Sequence, residues 1–389
     1  MILTNNDTAI QCSLAFPLTF LRWKKYEDGS RATEDRSLLF PATDFYPKSK
    51  SMHKISTLRY SLILSSCLIV LFLSCCKPPE TSTSASGLEG KVICVDAGHG
   101  GTAEIDSYRV GVGGEREEWI NLRVARYLKD LLENEGAQVV MTRTEDVQVG
   151  LQERAELAKD KGADVLLSIH HNAAADTSVN FPIIYYHANA TENEASVKLA
   201  RLVGRQLLSA LFPEDSLISI ASDHTIFPTA GTAVLRHSYG VPGIIGEATF
   251  FTNPSEEQRL RQEAYNLREA QAYLQALIGF FDEAVPPIEE KYSHIKIPAF
   301  QVLQEAERMA PTARLWLQDY QQGKTLYTEG KLDSAFQFLT RSARSFPDSY
   351  VASDAHRLRG EILLKLGKTK VADTAFQRVE EYYVELYED

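Results

Sequence analysis

From Gly90 onward, short apolar runs alternate with stretches whose apolar residues recur every three to four positions, the pattern of strands and helices in an α/β sheet. VICVDA at 92–97 reads as a strand, and WINLRVARYLKDLLENEG as a helix closed by Gly136. QVVMTR at 138–143 predicts the next strand, LQERAELAKDKG a helix, DVLLSIHHNA at 164–173 a buried strand and FPIIYYH at 181–187 another. ENEASVKLARLVGRQLLSALF predicts a long amphipathic helix, AVLRH and PGIIGEATF two late strands, and the stretch from TNPSEEQ to FFDE a closing helix with Pro254 in its first turn. The expected fold class is α/β: an open, mostly parallel sheet with helices on both faces, spanning residues 90–283.

Prolines and charges then interrupt every period over 284–298, which reads as a linker. Residues 299–389 turn entirely helical. Gly323, Tyr327, Gly330, Ala335, Leu339, Ala343 and Pro347 fall at tetratricopeptide spacing, and a second copy carries Gly360, Leu364, Gly367, Ala372 and Phe376. Gly360 stands 37 positions after Gly323, against a usual period of about 34. A small all-α repeat domain is expected, able to recruit a protein partner.

The N-terminal pattern is different. Residues 52–76 run from a basic start (His53, Lys54, Arg59) through an apolar stretch to FLSCC, and 77–89 form a polar tether rich in Pro, Ser and Thr. The layout is that of a secretory signal. It resembles a bacterial lipoprotein signal, with Cys75 after Ser74 as the lipidated residue and Cys67 as a second match that leaves a very short apolar core. An uncleaved membrane anchor is the alternative. Either way, the body is expected outside the cytoplasm, in the cell envelope, anchored to the membrane and facing the periplasm or the cell exterior. A signal does not work from mid-chain, so residues 1–51, which hold no sustained period, read as an unstructured upstream extension before Met52.

Composition narrows the function. The 389 residues exceed one ordinary core, and a net charge of −11 with no basic block excludes a nucleic-acid partner. The five cysteines form neither a metal knuckle nor a disulfide framework.

The polar residues at strand ends carry the chemistry, since sites in open sheets assemble at the carboxyl edge of the strands. His99 sits among glycines after the first strand; Glu115, Glu117 and Glu118 open the next helix; His170 and His171 end a later strand; Glu247 ends the last. Two histidines and a carboxylate make a catalytic zinc set, and a further glutamate can take a proton from water. Along a strand His170 and His171 point to opposite faces, so only one should reach a metal. The glycines around His99 are expected to let a bulky substrate approach.

DAGHGG, REEWINL, SIHHNA and GEATFFTNP, in that order, resemble the four blocks of the zinc-dependent N-acetylmuramoyl-L-alanine amidases, which cut muramic acid from the stem peptide of peptidoglycan. The resemblance covers about residues 90–281. It implies a Zn2+ cofactor held by His99, Glu117 and His170, with Glu247 catalytic and the membrane-anchored chain acting on peptidoglycan. It further implies that Arg236 in the VLR stretch orients Glu247 or the substrate, and Asn172 is a candidate substrate contact; His171 departs from the family, which often has a small residue there, and reads as a surface histidine, with a substrate contact as the alternative. His187, His224 and His237 read as ordinary histidines. The rival reading is an inactive amidase-like module that binds peptidoglycan and acts as a scaffold through its helical repeats. Between His187 and Ala233, LFPEDSLISIASDHTIFPTAGT shows no second helical period, so a loop at the cleft rim is expected there rather than a blocking helix, with a tail that places the enzyme and is dispensable for hydrolysis.

Overall fold

The computed structural model describes residues 87–104, 109–291 and 311–385. The expected upstream extension, the signal with Cys75, most of the tether and much of the linker lie outside the described residues. Among the described residues no helix is long and apolar enough to cross a membrane.

Six strands form one sheet: β1 (Val92–Ala97), β2 (Gln138–Met141), β3 (Val165–Asn172), β4 (Ile183–Tyr186), β5 (Ser219–Ser222) and β6 (Gly243–Phe250), in the order β2-β1-β3-β6-β4-β5. All neighbouring pairs are parallel except β4 with β6. The carboxyl ends of β1, β3 and β6 therefore share one edge of the sheet, with His170 paired to Glu247 across β3 and β6. The expected mostly parallel α/β sheet is thus present.

Helices α1 (Glu117–Asn134), α2 (Leu151–Asp160), α3 (Glu194–Leu211), α4 (Ala233–His237), α5 (Pro254–Leu260) and α6 (Glu263–Phe281) surround it. Residues from α1, α3 and α6 pack on one face, against Ile93, Val95, Leu167, Ile169, Ile184 and Ile244. On the other face, Ala158 of α2 and Val234 of α4 cover Cys94 and Leu166. Three expectations are corrected. AVLRH is helix α4, not a strand; its Val234 and Leu235 are buried on one side, as two adjacent residues of a strand would not be. The stretch before it contains strand β5 and a short 3-10 turn, Asp223–Thr225, where a loop was expected. The closing helix is two, α5 and α6, separated at Arg261 and Gln262.

The chain continues into an all-helical tail: α7 (Trp316–Thr328), α8 (Leu332–Ser345), α9 (Ala352–Lys365) and α10 (Thr369–Tyr382). A Cβ on Gly323 would lie 2.7 Å from Leu339, and one on Gly360 2.7 Å from Phe376, so the two hairpins close through the same glycine contact sixteen positions apart. The tail does not stand apart. Its Trp316, Phe346 and Val351 share a core with Phe181, Ile183, Tyr185, Ile245 and Phe250, covering the part of the second sheet face that α2 and α4 leave bare. Phe181 lies 5.3 Å from Phe250 and 5.0 Å from Tyr350, and Trp316 lies 5.2 Å from Phe346, ring centre to ring centre. Tyr185 donates its hydroxyl hydrogen to Asp348, and Val384 donates its N–H to the Ile220 carbonyl at 3.1 Å, pairing the edge strand β5.

A detachable tail is therefore not what the sheet permits: removing it would bare Phe181, Ile183, Tyr185 and Phe250. We expect Trp316→Ala to destabilise sheet and tail together by about 3 kcal/mol in one denaturant transition. A separate early transition of the tail, leaving the main transition unmoved, would contradict this.

Candidate metal centre

The turn after β1 carries His99 with φ +59, a left-handed conformation held by its neighbours. Arg154 of α2 donates to the carbonyls of Ala97 at 2.8 Å and His99 at 2.6 Å, and Arg143 to those of Ala97 at 2.8 Å and Gly98 at 2.9 Å. A Cβ on Gly98 would lie 2.3 Å from His170 Nε2. Glycine is required there by the neighbouring imidazole, which corrects the expectation that it makes room for substrate.

His99, Glu117 and His170 converge. Glu117 Oε1 lies 3.1 Å from His99 Nε2 and 3.1 Å from His170 Nδ1, and the two rings stand edge to face at 4.7 Å. These separations approach the ~3.3 Å between ligand atoms around a tetrahedral zinc. Asn121, one helical turn after Glu117, donates Nδ2–H to Glu117 Oε1 and to the Gly98 carbonyl, each at 3.2 Å, and so ties α1 to the His99 turn. The competing glutamates are occupied: Glu115 pairs with Arg123 at 2.7 Å and Glu118 with Arg116 at 2.7 Å. Glu247 stands across the sheet from His170, and its Oε2 is buried with no hydrogen-bond partner. Two imidazoles, one carboxylate and an unpartnered second carboxylate make a donor set that fits a metal with an open position for water.

Residues 93–279 match the family model described as N-acetylmuramoyl-L-alanine amidase. The chain is 31% identical over 220 residues to the uncharacterized protein YqiI of Bacillus subtilis, covering 57% of this chain and 97% of that one. It is 32% identical over 193 residues to the N-acetylmuramoyl-L-alanine amidase LytC of the same organism, covering 49% of this chain and 36% of LytC. A solved N-acetylmuramoyl-L-alanine amidase from Clostridium difficile 630 is 30% identical, with 50% of this chain and 98% of that one aligned and a TM-score of 0.44. The chain belongs to the N-acetylmuramoyl-L-alanine amidase family.

The electrostatics of this amidase follow from burial. Desolvation opposes the charge on Glu117, but His99 and His170 outweigh it and hold the carboxyl well below its ordinary range. Burial pushes Glu247 up to about 7, with Glu117 and Asp348 adding to the rise and His170 and His171 opposing it. His171 is not a surface residue. It is 1% exposed, with Nδ1 2.8 Å from Asn121 Oδ1 and Nε2 3.1 Å from Glu269 Oε2. Both ring nitrogens are engaged inside the amidase, so His171 has none to offer a substrate and instead fixes Asn121. Arg236, on α4, donates to the carbonyls of Ala230 at 3.2 Å and Gly231 at 3.3 Å. Gly231 lies against His187, beside the amino end of β6, whereas Glu247 lies farther along that strand; an orienting contact from Arg236 to Glu247 is not what the structure places there. Asn172, half-buried at the end of β3, accepts the Ala173 N–H through Oδ1 at 2.7 Å.

Sequence reasoning missed Asp96, Thr142, Arg143, Arg154 and Ser168, which brace the site from beneath. The available signal was Arg154, a charge on the face of LQERAELAKD that also carries Ala155 and Ala158 into the core.

The raised pKa of Glu247 gives a test in the metal-free protein. Its proton is bound more tightly in the folded than in the unfolded chain, so its stabilising contribution is complete below about pH 4.3 and disappears as pH rises through about 7. We expect Glu247→Gln, which does not titrate, to gain roughly 1–3 kcal/mol relative to wild type between pH 4 and pH 8, measured by denaturant unfolding with chelator present. A difference independent of pH would contradict the assignment.

Proposed function

We propose that this amidase hydrolyses the bond between N-acetylmuramic acid and L-alanine of peptidoglycan with one Zn2+ held by His99, Glu117 and His170, and with Glu247 as general base. The observation that carries this reading is the approach of both imidazoles to Glu117 Oε1 at 3.1 Å beside the unpartnered Glu247 Oε2. Bound there, zinc would supply a Lewis acid that lowers the pKa of water toward about 7 and polarises a carbonyl. Glu247 takes one proton from the attacking water, whose oxygen bonds to the lactyl carbonyl carbon. It returns that proton to the amide nitrogen as the C–N bond breaks, and L-alanine leaves as an amine. Burial raises the proton affinity of Glu247, which favours its taking and returning a proton. Asn121 and the His171 N–H, 3.2 and 3.3 Å from Glu117 Oε1, keep the ligand carboxylate aimed at the histidines. Asn172 is the proposed substrate contact, while Arg236 and His171 serve the fold.

The same reading places the chain in the cell envelope, starting at Met52 and held to the membrane by lipid on Cys75, as the FLSCC run supports. The tail is read as two tetratricopeptide-like repeats, supported by their matching glycine contacts, with exposed Leu364 and Val371 offering apolar surface to a protein partner.

Purified chain incubated with muropeptides should release stem peptides with a free L-alanine amine, identified by mass spectrometry, and a chelator should stop it. Glu247→Gln should retain zinc at this site and lose at least a hundredfold in kcat; His170→Ala should lose the zinc of this site together with turnover. Wild-type rates in Glu247→Gln would remove the assigned base, and metal-loaded wild type that binds muropeptides without cutting them would favour the inactive scaffold. The N-terminal peptide of the native protein should carry lipid on Cys75; peptides from residues 1–51 in the mature protein would contradict that assignment.

A further inference from the structure

A second group of metal-ligating side chains lies away from the first. One nitrogen each of His187 and His224 and one carboxylate oxygen of Asp223 fall within 4.8 Å of one another, the only such group among the described residues besides His99, Glu117 and His170. His187 follows β4, and Asp223 and His224 follow β5. Because β4 runs antiparallel to β6, with Tyr186 opposite Ile244, this cluster sits beside the amino end of β6. Glu247 and its histidines occupy the other edge of the sheet.

The cluster is held in place by its surroundings. Asp223 is fully buried, and its Oδ2 accepts hydrogen bonds from Thr232 N–H at 2.7 Å and Thr232 Oγ1 at 2.8 Å. That fixes Oδ1 at 3.0 Å from His187 Nδ1 and 3.9 Å from His224 Nε2. Gly231 has φ +65, and a Cβ there would lie 2.5 Å from His187 Nδ1 and 2.6 Å from Asp223 Oδ1, so only glycine leaves the carboxylate and the ring their place.

Protonation follows from the neighbours. His224 Nδ1 lies 3.2 Å from the Pro228 carbonyl, which only accepts, so Nδ1 carries the hydrogen and Nε2 of the neutral ring carries the lone pair. That Nε2 is buried and has no hydrogen-bond partner. His187 Nε2 also presents a lone pair, to Lys291 Nζ at 2.6 Å, since an ammonium can only donate. Lys291 in turn lies over the Tyr239 ring, 4.4 Å from its centre. The unused His224 Nε2 lone pair and the buried carboxylate thus face one another, and the His187 nitrogen beside that carboxylate, Nδ1, joins them once its hydrogen moves to Nε2, the nitrogen that Lys291 now holds.

We propose that His187, Asp223 and His224 form a second site for a divalent cation of the zinc class, which the Lys291 ammonium opposes by keeping the His187 hydrogen on Nδ1 until the ion displaces it. Two imidazoles and one carboxylate match zinc better than the oxygen-seeking cations. The site's place in the fold makes its role structural. The ion would join the ends of β4 and β5 to the 228–232 segment, next to Tyr382 of the tail, whose ring stacks on His224 at 6.3 Å. The inference does not depend on the catalytic reading of the first site.

Zinc counting separates the two. The full chain, stripped with chelator, reloaded with zinc chloride at neutral pH and desalted, should hold two zinc ions by elemental mass spectrometry. His224→Ala should hold one, the double variant His99→Ala with His170→Ala should hold one, and the triple variant none. Lys291→Met, a change at an exposed side chain, should keep both ions and bind the second at least tenfold more tightly. In the double variant, cobalt in place of zinc should give the visible absorption of a tetrahedral site, lost on adding His224→Ala. A wild-type count of one that His224→Ala leaves unchanged would overturn the proposal and leave the catalytic reading intact, and so would an unchanged second affinity in Lys291→Met. A single ion lost only in His224→Ala would support the second site and remove zinc from the first.

Discussion

The site depends on one buried carboxylate. Asp96 is 1% exposed at the carboxyl end of β1 and accepts hydrogen bonds from Thr142 at 2.6 Å, Ser168 at 2.6 Å and Arg154 at 2.7 Å. Burial alone would raise its pKa, but Arg154 and the two hydroxyls outweigh that and hold it below the ordinary value. A single group thereby joins the end of β2, the middle of β3 and helix α2 to β1. Arg154, balanced by Asp96, is free to spend its other hydrogens on the Ala97 and His99 carbonyls, which holds His99 in its left-handed turn. Losing either partner would leave the other charged and buried, at a cost of about 3–5 kcal/mol. The ligand geometry is rigid because the charge beneath it cannot be moved cheaply.

The second constraint is the apolar area of the sheet. A mostly parallel sheet must be covered on both faces. In this chain α1, α3 and α6 cover one, whereas on the other the short α4 reaches β4 and β6 only through Leu235. The tail supplies the missing cover through Trp316, Phe346 and Val351. It also brings Asp348 close enough to raise the pKa of Glu247, so the tail contributes both to the stability of the sheet and to the field around the proposed base.

Much of this was legible in the chain. The alternation of runs after Gly90 marked most of the strands, and the motifs from His99 to Glu247 marked residues that the fold brings together, because both are local in the sequence. Choosing Glu117 over Glu115 and Glu118 required the resemblance; the structure supplies the physical reason, two arginines that occupy the competitors. Strand β5 escaped because SIAS is four small or polar-flanked residues with no visible alternation, although all four are buried by α3 and the tail. The docking of the tail escaped because amphipathic period shows which face of a helix is apolar and not what covers it. His187 and His224 looked ordinary because their meeting around Asp223 depends on β4 and β5 lying side by side, a pairing that joins residues 36 positions apart.

The central claim is that His99, Glu117 and His170 hold one metal ion beside Glu247. Anomalous X-ray diffraction at the zinc edge, on crystals of the zinc-loaded chain, tests it most directly. The account predicts an anomalous peak about 2.0–2.2 Å from His99 Nε2, His170 Nδ1 and a Glu117 oxygen, with Glu247 facing it unligated. A map with no peak between these three side chains, or one in which Glu115 or Glu118 replaces Glu117, would contradict it.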